Sequence, residues 1–411
     1  MRKLTCCIAL LLMLSLSVTG AALAQNTMPV YCGDLSDADC EIITNAQAAS
    51  ATLDSGMYDF AFNLSVSGIP EAPSPLSFAL TGSGSFSGVA SMQTMAMDPA
   101  AMQEMMMSDP GQFFEDSLGG FDGDLNLTLT LPPELLEEMG GAGIPSSITL
   151  QIRLVDGFGY LNLDTLTPII GEDALPMSGW VGMDLVSLIQ GVFEQMPADF
   201  DMSMGMQTTG MEAFYDPEFI GSYMSIERTD DGTGDTAVFA FDLDFGAMFS
   251  SEAFQEMMRE QMAAQMESMD TTLSDEEMDE ALAMTSQMFQ DVTFTMTEEI
   301  GLEDGFIHSI SGAMNFDMAS MMASMGESSS EPAPVIDMTF SVNYSSFNSA
   351  PEVTAPEDAT VIPYEAVLNS AMGGMSASSE MGSVASSGDS EEATGEPPMA
   401  SEMTPTPTPA G

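Results

Sequence analysis

The chain carries one histidine, His308, so any serine–histidine–acid triad must be built on it. His308 lies in a strand-like stretch over residues 306–310, where it reads as an ordinary sheet residue. No G-x-S-x-G elbow, P-loop or G-x-G-x-x-G turn accompanies it. Gly82-Ser83-Gly84-Ser85 reads as a flexible strand or turn, not as a phosphate cradle. Carboxylate pairs such as Asp242 with Asp244, or Glu137 with Glu138, have the chemistry of a glycosidase at the right separation. With 63 acidic residues such pairs arise throughout, on wet strand faces and helix ends. No D-x-D-x-D-G loop with a terminal glutamate marks a calcium site. The expectation is a protein that is not an enzyme and needs no cofactor.

Methionine is the more informative excess, at 41 residues, clustered over 92–107, 202–211, 257–288 and 314–325. Met258, Met262, Met266 and Met269 fall on one face at helical spacing. Three chemistries fit. Thioethers suit Cu(I), although histidine and cysteine, which such sites recruit, are nearly absent. Methionine also serves as a flexible filler of cores, and a methionine-lined surface adapts to variable greasy ligands.

Two cysteines, Cys32 and Cys40, remain once the first 24 residues are set aside, and they read as one disulfide closing a short loop. Two thiols without neighbouring histidines make a poor zinc site. Those first residues have the form of a secretory signal peptide. Arg2 and Lys3 precede an apolar run over 4–18, and Ala22-Leu23-Ala24 supplies the small-x-small pattern for cleavage after Ala24. The expected location is therefore extracytoplasmic, secreted or in the cell envelope. No later apolar run is long enough to span a bilayer.

Losing Arg2 and Lys3 takes the formal charge from −58 to −60. Such a field repels nucleic acid and anionic membrane surfaces, and neither is expected as a partner.

The elements that position these residues are mostly strands. A helix begins at Ser36-Asp37-Ala38-Asp39 and is expected to end at Ser55-Gly56. Apolar residues then alternate at Tyr58/Phe60/Phe62/Leu64/Val66, Leu125/Leu127/Leu129/Leu131 and Ile148/Leu150/Ile152/Leu154. The period returns at Phe239/Phe241/Leu243/Phe245, Val292/Phe294/Met296 and Ile336/Met338/Phe340/Val342/Tyr344. This is the pattern of antiparallel strands with one buried and one wet face. Asp156-Gly157, Asp230-Asp231-Gly232 and Asp304-Gly305 supply the turns. Helices are expected over 99–117, broken at Pro110, over 185–196, and over 247–290, split near Asp270-Thr271-Thr272. From about Gly373 the composition collapses to Ser, Gly, Glu, Met, Pro and Thr, the mark of a disordered acidic tail.

Gly159-Tyr160-Leu161-Asn162, Gly179-Trp180-Val181-Gly182-Met183-Asp184 and Tyr344-Ser345-Ser346-Phe347-Asn348 form a familiar set. With Pro351-Glu352-Val353 and Ala355-Pro356-Glu357-Asp358-Ala359, it resembles the LppX/LprG-type (LolA-like) envelope lipoproteins. The resemblance covers roughly residues 36–362, mostly as pattern. It departs from that family in lacking a lipobox cysteine, in the long methionine-rich helix and in the acidic tail.

The fold expected is α+β: a large curved antiparallel sheet, a half-barrel of about ten strands, covered by helices. The divisions are a leader over 1–24, a domain over 25–370 and a tail over 371–411. In the family resembled, the concave face encloses acyl chains. The function expected is binding or carrying lipid or another apolar molecule, against the alternatives of a structural or adhesive envelope protein and a copper binder. The lining expected is Tyr58, Phe60, Phe62, Leu64, Leu127, Leu129, Leu150, Ile152, Phe239, Phe241, Leu243, Phe294, Met338 and Phe340.

Overall fold

The computed structural model describes residues 30–68, 75–89, 110–138, 145–170, 177–195, 217–230, 232–268, 274–319, 322 and 333–366. The leader, the tail, Asp231, Met269, the Asp270-Thr271-Thr272 split, residues 99–109 of the first helical patch and the methionine clusters 92–107 and 202–211 lie outside the described residues.

Ser36 accepts a hydrogen bond from the Asp39 N–H and so caps α1 (Asp37–Ser50). Ser55-Gly56 does not close this helix, which ends at Ser50; it opens β1 (Ser55–Ser67), because pairing with the neighbouring strand claims both residues. The chain continues through β2 (Leu76–Ser87), α2 (Pro110–Leu118), β3 (Asp122–Thr130), α3 (Pro133–Glu138), β4 (Ser147–Val155) and β5 (Phe158–Asn162). Then come α4 (Thr167–Ile170), β6 (Trp180–Asp184), α5 (Leu185–Gln195), α6 (Pro217–Gly221), β7 (Met224–Arg228) and β8 (Thr236–Asp244). The last elements are α7 (Phe245–Ser250), α8 (Glu252–Ser268), α9 (Asp275–Phe289), β9 (Val292–Gly301), β10 (Ile307–Asp317), β11 (Val335–Ser345) and β12 (Thr360–Ile362).

Of the helical patch expected over 99–117, the described part is helical from Pro110 to Leu118. Phe245 does not extend β8. The Asp244 carboxylate accepts from the Ala247 N–H at 2.8 Å, and this cap ends the strand and begins α7.

Among the described residues, all twelve strands belong to one open sheet, ordered β12-β6-β5-β4-β3-β2-β1-β11-β10-β9-β8-β7. The fold is thus α+β, with more strands than the ten or so expected. β5, β6 and β7, at 5 residues each, and β12, at 3, are too short to display a period. Two antiparallel meanders, β1–β6 and β7–β11, join edge to edge along β1 and β11. At Asp156-Gly157 both φ angles are positive, 50° and 78°, which is the type I′ turn that matches the twist of β4 and β5.

The chain between β11 and β12 works as a strap. Val353 is buried against Val155 and Tyr160, and Arg153 Nη1 donates to the Thr354 carbonyl at 3.0 Å. The strap, which includes the Ala355–Ala359 segment, delivers β12 to a parallel pairing with β6. Among the described residues, no helix is long and apolar enough to cross a membrane.

Candidate functional site

Register places every residue of the expected lining on one face of the sheet. One cross-strand row reads Phe239–Glu298–Ile310–Val342–Phe60–Gly82–Leu127–Leu150, from β8 to β4. The next reads Phe241–Met296–Gly312–Phe340–Phe62–Leu80–Leu129–Ile148. Leu243–Phe294–Met314–Met338–Leu64–Phe78 follows it. On the other side of the first row lie Tyr344–Tyr58–Gly84–Leu125–Ile152. Over β1, β10 and β11 the opposite face is polar: Asn343 donates to Asp59 at 3.0 Å, Asn63 to Thr339 at 3.3 Å and Asn315 to Asp337 at 2.6 Å.

Within this apolar face Phe239 and Leu127 are buried, and the rest of the expected lining is half-buried. The rings lie down on the sheet. Phe60 lies over Gly82 and Phe340 over Gly312, so closely that a Cβ at either glycine would overlap the ring. That is why the glycines of Gly82-Ser83-Gly84-Ser85 belong to a regular strand: they make room for cross-strand aromatics. Tyr58 stacks beside Phe60 with centroids 6.4 Å apart. The result is a floor of flat rings.

Helices cover the two flanks. On the β8–β9 side, Ala46 of α1 packs against Ala237, Phe239 and Ile300. Phe249 of α7 and Phe289 of α9 stack at 4.1 Å, and they reach the sheet through contacts of Phe245 with Phe294 and of Phe289 with Phe316. On the β5 side, Leu185 of α5 sits over Gly159, and Phe193 of α5 stacks on Phe114 of α2 at 5.8 Å.

Three polar residues on this face escaped the expected lining. Glu298 is 8 % exposed, and no hydrogen bond or ion pair reaches it from the described residues. Burial alone pushes its carboxyl up to about 7. Tyr344 is likewise without a hydrogen-bond partner among the described residues, and burial pushes its phenol up to about 12. Arg228 shares a row with Phe239 and Glu298. Two carboxylates meet its guanidinium: Asp230 accepts at 2.7 and 3.0 Å and Asp39 of α1 at 2.8 Å. Asp230 also accepts from the Gly232 and Val238 N–H groups, and the Arg228 hydrogen bonds hold it far below the usual carboxylate range. The signal for Glu298 was present in the period Val292/Phe294/Met296, which puts position 298 on the apolar side.

His308 lies in β10. Its Nε2 pairs with Asp304 at 2.9 Å across the β9–β10 turn, and its ring packs on Phe347 with centroids 5.2 Å apart. Asp242 and Asp244 are exposed on the polar face and at the cap of α7. Glu137 and Glu138 fall in α3. Met258, Met262 and Met266 lie in α8, half-buried. Cys32 and Cys40 form a disulfide with a Cα–Cα distance of 5.4 Å, a pairing compatible with an oxidising, extracytoplasmic compartment.

No protein-family model matches the chain, and no curated protein matches it. Among solved structures, one of lipovitellin, described as showing lipid–protein interactions, aligns with 74 % of this chain and 26 % of its own, at 10 % identity and a TM-score of 0.25. The chain thus spans about a quarter of that protein, a likeness too slight to carry an argument.

Proposed function

We propose that this protein is an exported, non-enzymatic binder or carrier of lipid or another hydrophobic ligand, of the LppX/LprG kind, holding its cargo on the apolar face of the sheet. The observation that supports this reading is the continuous apolar face from β8 to β4, whose rings and aliphatic chains stay half-buried between the flanking helices. Apolar surface left to water costs about 25 cal/mol per Å². An alkyl chain laid along the rows of Phe60, Phe62 and Leu64 removes that cost for both partners.

Organic extraction and native mass spectrometry of the purified full chain test the proposal. Co-purified lipid, or uptake of an added long-chain lipid at defined stoichiometry, is the expected result. A chain that carries nothing and takes up nothing would overturn it. The competing reading is a structural envelope protein with a self-filled core. It draws on the Phe249–Phe289 cluster, with which the protein fills one flank by its own side chains.

A further inference from the structure

The geometry points to a cargo with a cationic head: a long-chain amphiphile whose ammonium group meets Glu298 while its alkyl chain lies on the aromatic floor. This rests on the apolar-face reading above and names the chemistry of what that face takes.

The apolar face is graded along its strands. Its polar side chains, Tyr58, Tyr344, Glu298 and Arg228, all lie toward one end, among apolar neighbours such as Ala237, Ile300 and Leu125. Toward the other, the rows hold only apolar residues, among them Leu64, Phe78, Met338, Phe294 and Leu243. From the row of Phe60 and Glu298 to the last row of β1, at Val66, is 6 residues, about 20 Å at strand rise. That is the length of a long alkyl chain lying parallel to the strands.

The sign of the head follows from which charges are already used. Arg228 could have met an anionic head, but the carboxylates of Asp39 and Asp230 already offset its single positive charge. Glu298 is the charge left over: buried, on the same face, with apolar Phe239 and Ile310 on either side in its row. A buried carboxyl without a partner is costly, and a ligand ammonium supplies the missing charge and hydrogen bonds. The Tyr344 hydroxyl, also without a partner among the described residues, lies toward the same end. The field of 63 acids against 5 bases concentrates cations and repels phosphate and carboxylate heads.

Displacement of a bound apolar fluorophore, N-phenylnaphthylamine, from the full chain tests this with dodecylamine, dodecanol and dodecanoate. High salt screens the general acidic field during the comparison. Dodecylamine is expected to displace the dye at roughly tenfold lower concentration than dodecanol, with dodecanoate weakest. Glu298→Gln and Glu298→Leu are each expected to erase the amine's advantage while leaving dodecanol within about twofold of its wild-type value. Asp59→Asn, which removes one charge from the opposite face, is expected to change neither. An amine advantage that survives both Glu298 variants, or that is absent in the wild type while dodecanol binds, overturns the inference and leaves the hydrophobic-carrier reading standing. Failure of all three probes and the dye to bind overturns both.

Discussion

Glu298 couples the candidate site to the stability of the fold. Its ordinary value of 4.5 is raised to about 7 by burial, so ionising it costs more in the folded chain than in the unfolded one. Its contribution is most favourable below about pH 4.5 and is lost as pH rises through about 7. The charges nearest in the row belong to Arg228 with Asp39 and Asp230, whose acids are held low and lose stability in the opposite direction, as pH falls. Comparison with Glu298→Gln isolates the glutamate. Urea denaturation is expected to find the variant up to about 3 kcal/mol more stable than wild type at pH 8, with the gap closing toward pH 4.5. Equal pH profiles for the two proteins would show that the carboxyl finds solvent or a partner.

Between strands, the ring-over-glycine pairs are the devices that make the face flat. Gly82→Ala is expected to cost about 1–3 kcal/mol, because its Cβ overlaps the Phe60 ring and forces it off the sheet. Adding Phe60→Leu should recover much of that loss, so a double-mutant cycle on thermal unfolding should be strongly non-additive. Additive losses would mean that the two residues do not share the space. The disulfide acts on another element. It closes a loop of sequence separation 8 at the start of α1, whose Ala46 packs over β8 and β9. Cys32→Ser with Cys40→Ser is expected to cost about 2–3 kcal/mol by loop entropy. Hydrogen exchange should find α1 loosened before the β1–β4 meander.

For the molecule as a whole, the excess of acids opposes folding, and salt should relieve it. The unfolding midpoint is expected to rise with sodium chloride over roughly the first 0.5 M, as screening shortens the reach of acid–acid repulsion. A salt-insensitive midpoint would show that the acids are neutralised locally. The strand class was legible in the residues because period-two alternation survives in β1, β3, β4, β8, β9 and β11 without help from neighbours. The parity of those runs placed the lining candidates on one face, and Cys32 and Cys40 announced their pairing by their number. Other features were not legible locally. Ser55-Gly56 changed element because ladder pairing with Ser87 and Phe86 of β2 claims it, and Phe245 because the cap at Asp244 begins a helix there. β2 was obscured by glycines whose purpose lies on the adjacent strands. β6 and β12 pair only because a 14-residue connection, anchored by Val353 against Val155 and Tyr160, carries the chain from β11 to β6. Glu298 makes the division plain. Its sequence period assigns it to the apolar side. Only the register of β8, β9 and β10 surrounds it with Phe239 and Ile310 and leaves it without a partner among the described residues, because burial and pairing depend on strands distant in the chain.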